Sequence, residues 1–223
     1  MATAILPYSA QHYNSLPSIQ DAGRSLTPSE LEELPAAVGG IFVRHAVQDR
    51  FGLILLHNHF PVEADEMLVS FGNVALPYKT SSPAAELCDI KGSSWRFVDK
   101  DLIPYEFVHN SASRPGIQDF QPFLSELRPA LERLGLTKKL GICILAPEGQ
   151  NTTQHIEITR DRMNITLPFD ISPDDKSIEA VWGFELDQAA VHSPTPVVLK
   201  KCKIACKYGP NTGHCEDHKT TKN

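Results

Sequence analysis

The sequence predicts an α+β protein: a mainly antiparallel sheet, with short helices ahead of it and one long amphipathic helix packed on it. Three observations carry that expectation. Helix signals lead the chain, short strand signals meander through its middle, and one long stretch of helical period interrupts them. Regular strand–helix alternation is absent. No glycine-rich loop comes after a strand, which sets aside dinucleotide and P-loop nucleotide binding.

From the N-terminus, residues 1–26 are polar and irregular and read as a flexible arm. Thr27-Pro28-Ser29-Glu30 is a helix start, with Thr27 as N-cap, Pro28 in the first turn and Glu30 closing a capping box. Pro35 and the pair Gly39-Gly40 divide the helical stretch after this start into two short helices. Phe51–Phe60, the most apolar run of the chain, reads as a strand, with Glu66–Phe71 as its antiparallel neighbour. Residues 77–92 are rich in Pro, Ser and Gly and read as a loop. Ser94–Val98 and Ile103–His109 flank Asp99-Lys100-Asp101 as a hairpin, in a register that sets Arg96 opposite Glu106.

Residues 118–135 carry the clearest helical face, in Phe120, Phe123, Leu124, Leu127, Leu131 and Leu134. Pro122 fits the first turn, and Gly135 stops the helix. Strands are expected at Leu140–Ala146, Thr153–Thr159, Met163–Phe169 and Ile178–Leu186. The organisation expected is an arm over 1–26, one α+β domain over 27–198, and a basic Cys/His-rich tail over 199–223.

The 223 residues suffice for a core without staples, and 41% hydrophobic with 22% charged residues is an ordinary globular balance. A net charge of −6 argues against general nucleic-acid binding. The charge is uneven: six lysines against Glu216 and Asp217 give residues 200–223 a local +4, leaving −10 for the remainder. Five cysteines, three of them in the last 22 residues, do not make the framework of a disulfide-stapled domain. The first residues lack the basic and apolar regions of a signal peptide, and no apolar stretch approaches the ~20 residues of a membrane span. A cytoplasmic protein with no membrane partner is expected.

His57 and His59 are the best lead to a site. Two apart on a strand, they would leave one face together beside Leu53 and Leu55, able to ligate a metal or to move protons. Glu63 would be a third ligand or an orienting carboxylate. The bland reading is that both imidazoles only hydrogen-bond their neighbours and hold the fold. Arg96 and Glu106 would orient a carbonyl or carboxylate substrate, or form an ordinary cross-strand ion pair. His155 and Glu157 share a face, as a base and its orienter or as a solvated strand edge. Trp95, Trp182, Phe107 and Phe184 read as core or as the walls of an apolar pocket.

In the tail, Cys202, Cys206, His214 and His218 have the spacing C-x3-C-x7-H-x3-H and fit a structural, tetrahedral zinc. A disordered basic tail is the alternative.

Two resemblances bear on function. Gly52-x4-His57-x-His59-x3-Glu63-x8-Gly72 is similar to the first metal-binding motif of the cupins, with both glycines displaced. It implies a metal-dependent oxygenase. Arg50-Phe-Gly-Leu-Ile-Leu-Leu-His-Asn-His-Phe60, together with Ser93-Ser94-Trp95-Arg96 and the late Cys/His cluster, resembles a group of small, mostly uncharacterised proteins of filamentous fungi. That resemblance implies a step in secondary metabolism. The leading expectation is a small enzyme without a nucleotide cofactor, carrying out an isomerase, cyclase or lyase step on an apolar small molecule. His57, His59, Arg96 and Glu106 would be its catalytic residues. The alternative is a zinc-stabilised interaction protein without catalysis.

Overall fold

A computed structural model describes residues 3–82, 89–109, 116–145, 154–168, 177–185 and 195–203. Ten strands form it: β1 Phe51–Leu55, β2 Glu66–Phe71, β3 Val74–Lys79, β4 Ile90–Val98, β5 Asp101–His109, β6 Leu140–Ile144, β7 His155–Arg160, β8 Met163–Pro168, β9 Ser177–Glu185 and β10 Thr195–Lys203. They pair in the order β1-β6-β4-β5-β2-β3-β8-β7-β10-β9, and β9 returns to β1, so the sheet is a closed barrel. Two of the pairs, β2 with β5 and β7 with β10, are parallel. The expected open, mainly antiparallel sheet of an α+β fold is thereby overturned: this is a mixed β-barrel with a few short helices. Among the described strands closure leaves none at an edge, which removes the main hazard of an all-strand wall.

Several local expectations fail for the same reason. The partners of β1 are β6 and β9, not β2. The two ends of the expected loop over 77–92 are strand, because β3 runs to Lys79 and β4 begins at Ile90. The expected tail boundary at 199 falls inside β10, so residues 199–203 belong to the barrel.

The helices clothe one side of the wall. α2 (Ile19–Ser25), α3 (Pro28–Leu34), a π-turn (Pro35–Gly39), α4 (Gly40–Arg44) and α5 (Gln121–Arg133) pack on β1, β4, β6 and β9. Thr27 and Glu30 form the expected capping box at the start of α3. On α5 the buried residues are Phe123, Leu124, Leu127, Ala130 and Leu131, one helical face. This face meets Phe51, Leu53, Leu55, Trp95, Ile142, Trp182 and Phe184. Alternate residues of β1 look the other way: Ile54 belongs to a second cluster, with Leu68, Ala75, Cys143 and Val181. β1 is therefore buried on both faces, and this accounts for its unbroken apolar sequence. Gly141 allows the wall to close here, since a Cβ at this position would lie 2.3 Å from the Trp95 carbonyl oxygen.

One end of the barrel is stoppered. The arm expected over 1–26 is ordered over its described part. Ile5 bridges to Leu102, and α1 (Ala10–Asn14) places Tyr13, fully buried, beside Leu56, Phe60 and Val62. Among the described residues, no helix is long and apolar enough to cross a membrane.

Candidate functional site

The barrel lumen holds a cavity of about 620 Å³ that opens to solvent. Its apolar wall includes Ile54, Leu68, Ala75, Val108, Val181 and Leu199. Into this wall are set Glu106 from β5, Glu157 from β7, Lys200 from β10 and Asn164 from β8. These polar residues occupy inward positions on strands whose flanking residues are apolar, such as Tyr105 and Phe107, or Ile156 and Ile158.

The two histidines stand at the stoppered end, just beyond the last residue of β1. They are adjacent, with ring centroids 4.8 Å apart and planes at 79°. They do not leave a strand face beside Leu53 and Leu55, which face the helices. The chain quits the sheet after Leu55, and both rings turn toward the lumen. There they back onto the carboxylates that line the cavity.

The two rings differ in their partners. For His59, Nε2 lies 3.2 Å from Glu106 Oε1, an atom that only accepts. Its Nδ1 lies 3.4 Å from the Thr159 hydroxyl, whose own proton goes to Asn164 Oδ1 at 3.1 Å. Nε2 thus carries a proton toward Glu106, with the Asn164 amide nitrogen also 3.4 Å from it, and a second proton on Nδ1 would make the ring an imidazolium. Burial works against that charge, but the hydrogen bond with Glu106 and the charge of Glu157 outweigh it and raise the His59 pKa. His57 is the opposite case. Its Nδ1 donates to the Leu55 carbonyl at 2.7 Å, which leaves a lone pair on Nε2. Burial, then the neighbouring His59, lower its pKa to about 4. Two imidazoles in contact thus have their pKa values shifted in opposite directions.

Burial alone would raise both lumen acids. For Glu106, the hydrogen bond and charge of His59 reverse this, and the group stays ionised below the ordinary carboxylate range. For Glu157, Lys200 and then His59 do the same. Lys200 Nζ donates to Glu157 Oε1 at 2.7 Å, and Ser94 Oγ donates to Glu106 Oε2 at 2.7 Å. The lumen floor carries two carboxylates and one ammonium, with the His59 ring behind Glu106.

The remaining sequence candidates lie elsewhere or differ in role. Arg96 is not opposite Glu106. The β4–β5 turn is only Asp99-Lys100, with Asp99 at φ +53°, and this register pairs Arg96 with Ile103. A bulge at Tyr105 then brings Glu106 opposite Ser94. The Arg96 guanidinium donates to the His12 carbonyl and the Ser15 hydroxyl instead, away from the cavity. Glu63 is exposed, and the carboxylates beside the histidines are Glu106 and Glu157. His155 lines the cavity near Lys200 and Glu157. Trp95, Trp182 and Phe184 are core beneath the helices, and Phe107 packs with Met67 and Val69.

Of the four expected tail ligands, Cys202 sits on β10, buried, with Sγ 3.5 Å from His57 Nε2 and donating to Glu157 Oε2 at 3.1 Å. Cys206, His214 and His218 lie outside the described residues. Sequence reasoning missed Lys200, Asn164 and Cys143 as lumen residues. Comparison with family models, with curated proteins and with solved structures finds no match for this chain.

Proposed function

We propose that the barrel is a small-molecule enzyme that moves protons without net oxidation or reduction, in an isomerase, cyclase or lyase-type step. The observation that supports this best is that Glu106, held ionised by His59, and Lys200, bonded to Glu157, line one cavity together with apolar side chains. A cavity of this size holds a metabolite-sized guest. Its apolar wall binds the hydrocarbon body, and the charged floor receives the polar end.

In this reading Glu106 is the base. It removes a proton from a carbon next to a substrate carbonyl. The electron pair of that C–H bond moves onto the carbonyl oxygen, where the Lys200 ammonium balances the charge. Return of the proton at another carbon completes an isomerisation, and departure of a leaving group completes an elimination. His59 is a positioning residue: it does not line the cavity, and its hydrogen bond holds Glu106 ionised and oriented. His57 and Arg96 have no part in this step. The resemblance to small proteins of filamentous fungi supports drawing the substrate from the secondary metabolites of such organisms.

The test is to incubate the purified protein with metabolite extracts in heavy water. Isomerisation should give a product of the substrate's composition with one solvent deuterium in place of a hydrogen, and elimination a product lighter by the leaving group and the abstracted proton. Glu106→Gln should lower turnover by about 100-fold or more while the protein still melts cooperatively. Metabolites that bind yet return unconverted would end the enzymatic reading and leave a carrier.

A further inference from the structure

We propose that His57, Glu157 and Cys202 form a binding site for a divalent, thiolate-preferring cation of the zinc class, at the stoppered end of the lumen. Donor atoms from three separate elements converge there, all within 4.8 Å of one another. In a tetrahedral zinc site, bond lengths of about 2.3 Å to sulfur and about 2.0–2.2 Å to nitrogen or oxygen set neighbouring donors roughly 3.5 Å apart. Cys202 Sγ lies 3.5 Å from His57 Nε2 and 3.1 Å from Glu157 Oε2, so small side-chain movements admit the ion.

Each donor is also aimed. His57 has spent its Nδ1 proton on the Leu55 carbonyl, which is how ligating histidines are commonly fixed, and its free lone pair faces the sulfur. Glu157 gives Oε1 to Lys200 and turns Oε2 to the site. Cys202 surrenders its proton as the ion binds, exchanging an S–H hydrogen bond for a metal bond. Imidazole, carboxylate and thiolate together select zinc over calcium or magnesium. Three protein ligands leave a fourth position for water or another small ligand.

The metal site does not rest on the Glu106 chemistry, because Glu106 supplies none of the three donors. It does compete with a zinc held by the tail, since Cys202 cannot serve both. The experiment uses the full chain carrying Cys206→Ser, His214→Gln, Cys215→Ser and His218→Gln, stripped with chelator and titrated with cobalt(II). The expected result is one equivalent bound, with a thiolate-to-cobalt charge-transfer band. Adding Cys202→Ser or His57→Gln should abolish the band, and adding Glu106→Gln should leave it. Absence of the band in the tail-substituted protein, or its persistence with Cys202→Ser, would overturn the site. Should either ligand variant fail to fold, X-ray absorption on the zinc-loaded, tail-substituted protein decides. One sulfur among nitrogen and oxygen neighbours supports the proposal, and a shell without sulfur refutes it.

Discussion

Strand β1 separates two interiors. On one side, Phe51, Leu53 and Leu55 meet the helices in a continuous apolar layer. On the other, Ile54 looks into a lumen whose floor carries Glu106, Glu157 and Lys200. The first interior is held by burial of apolar area and close packing, and tolerates no polar group without a partner. The second holds charges out of bulk water only because each is matched by an opposite one. The outer layer is where this molecule gains stability. The lumen is where it places reactive groups at a cost in stability, a division expected of a functional site.

The largest test of this contrast falls on the outer layer. Phe42 is fully buried and sits 4.9 Å from the Phe123 ring and 4.7 Å from the Phe184 ring, centroid to centroid. Phe42→Ala should cost about 3–5 kcal/mol, a large part of a typical domain's total stability, read as a lowered denaturation midpoint. A loss below about 1 kcal/mol would show that the helices are loose cladding rather than the main core.

The next effect belongs to the lumen. Lys200→Met strands the Glu157 carboxylate. A fully sealed pair broken in this way loses about 3–5 kcal/mol. Here 28% of the Lys200 side chain remains accessible, through the cavity, so solvent screens the pair and about 2–3 kcal/mol is expected. Adding Glu157→Gln should restore most of that loss, because it removes the stranded charge. Full additivity of the two changes would sink the picture of paired charges, and denaturant unfolding of both single variants and the double variant measures it.

The contrast also explains what was legible in the sequence. Glu66–Phe71 is found as a strand, and α5 as a helix, because their signals are local. Barrel closure is not local. It depends on the parallel pairs β2·β5 and β7·β10, which join strands far apart in the chain. Pro77 disguises β3 as loop, although it pairs with Leu68. The lysines of β10 disguise a wall strand as a solvated tail, with Lys200 directed inward to Glu157. The histidine pair is visible because its members are neighbours in sequence. Glu106 and Glu157, with which they share the site, come from other strands. An acid between two apolar residues reads the same whether its face meets water or a lumen, and only closure decides between them.

The smallest expected effect sharpens the comparison by being confined to one side of it. Thr27 accepts a hydrogen bond from the Glu30 backbone N–H, and its own N–H donates to Glu30 Oε2, so two open backbone donors at the start of α3 are satisfied. Thr27→Ala removes the first of these bonds and should cost about 1 kcal/mol. α3 belongs to the outer layer, on the far side of the wall from the cavity, with Leu34 as its buried anchor. The loss should therefore appear in thermal unfolding alone. Cobalt binding at Cys202 and turnover at Glu106 should both stay at the unsubstituted level at temperatures well below the transition. A change in either, at so small a loss of stability, would mean that the two interiors are coupled through β1, and that the helical layer tunes the lumen rather than merely supporting it.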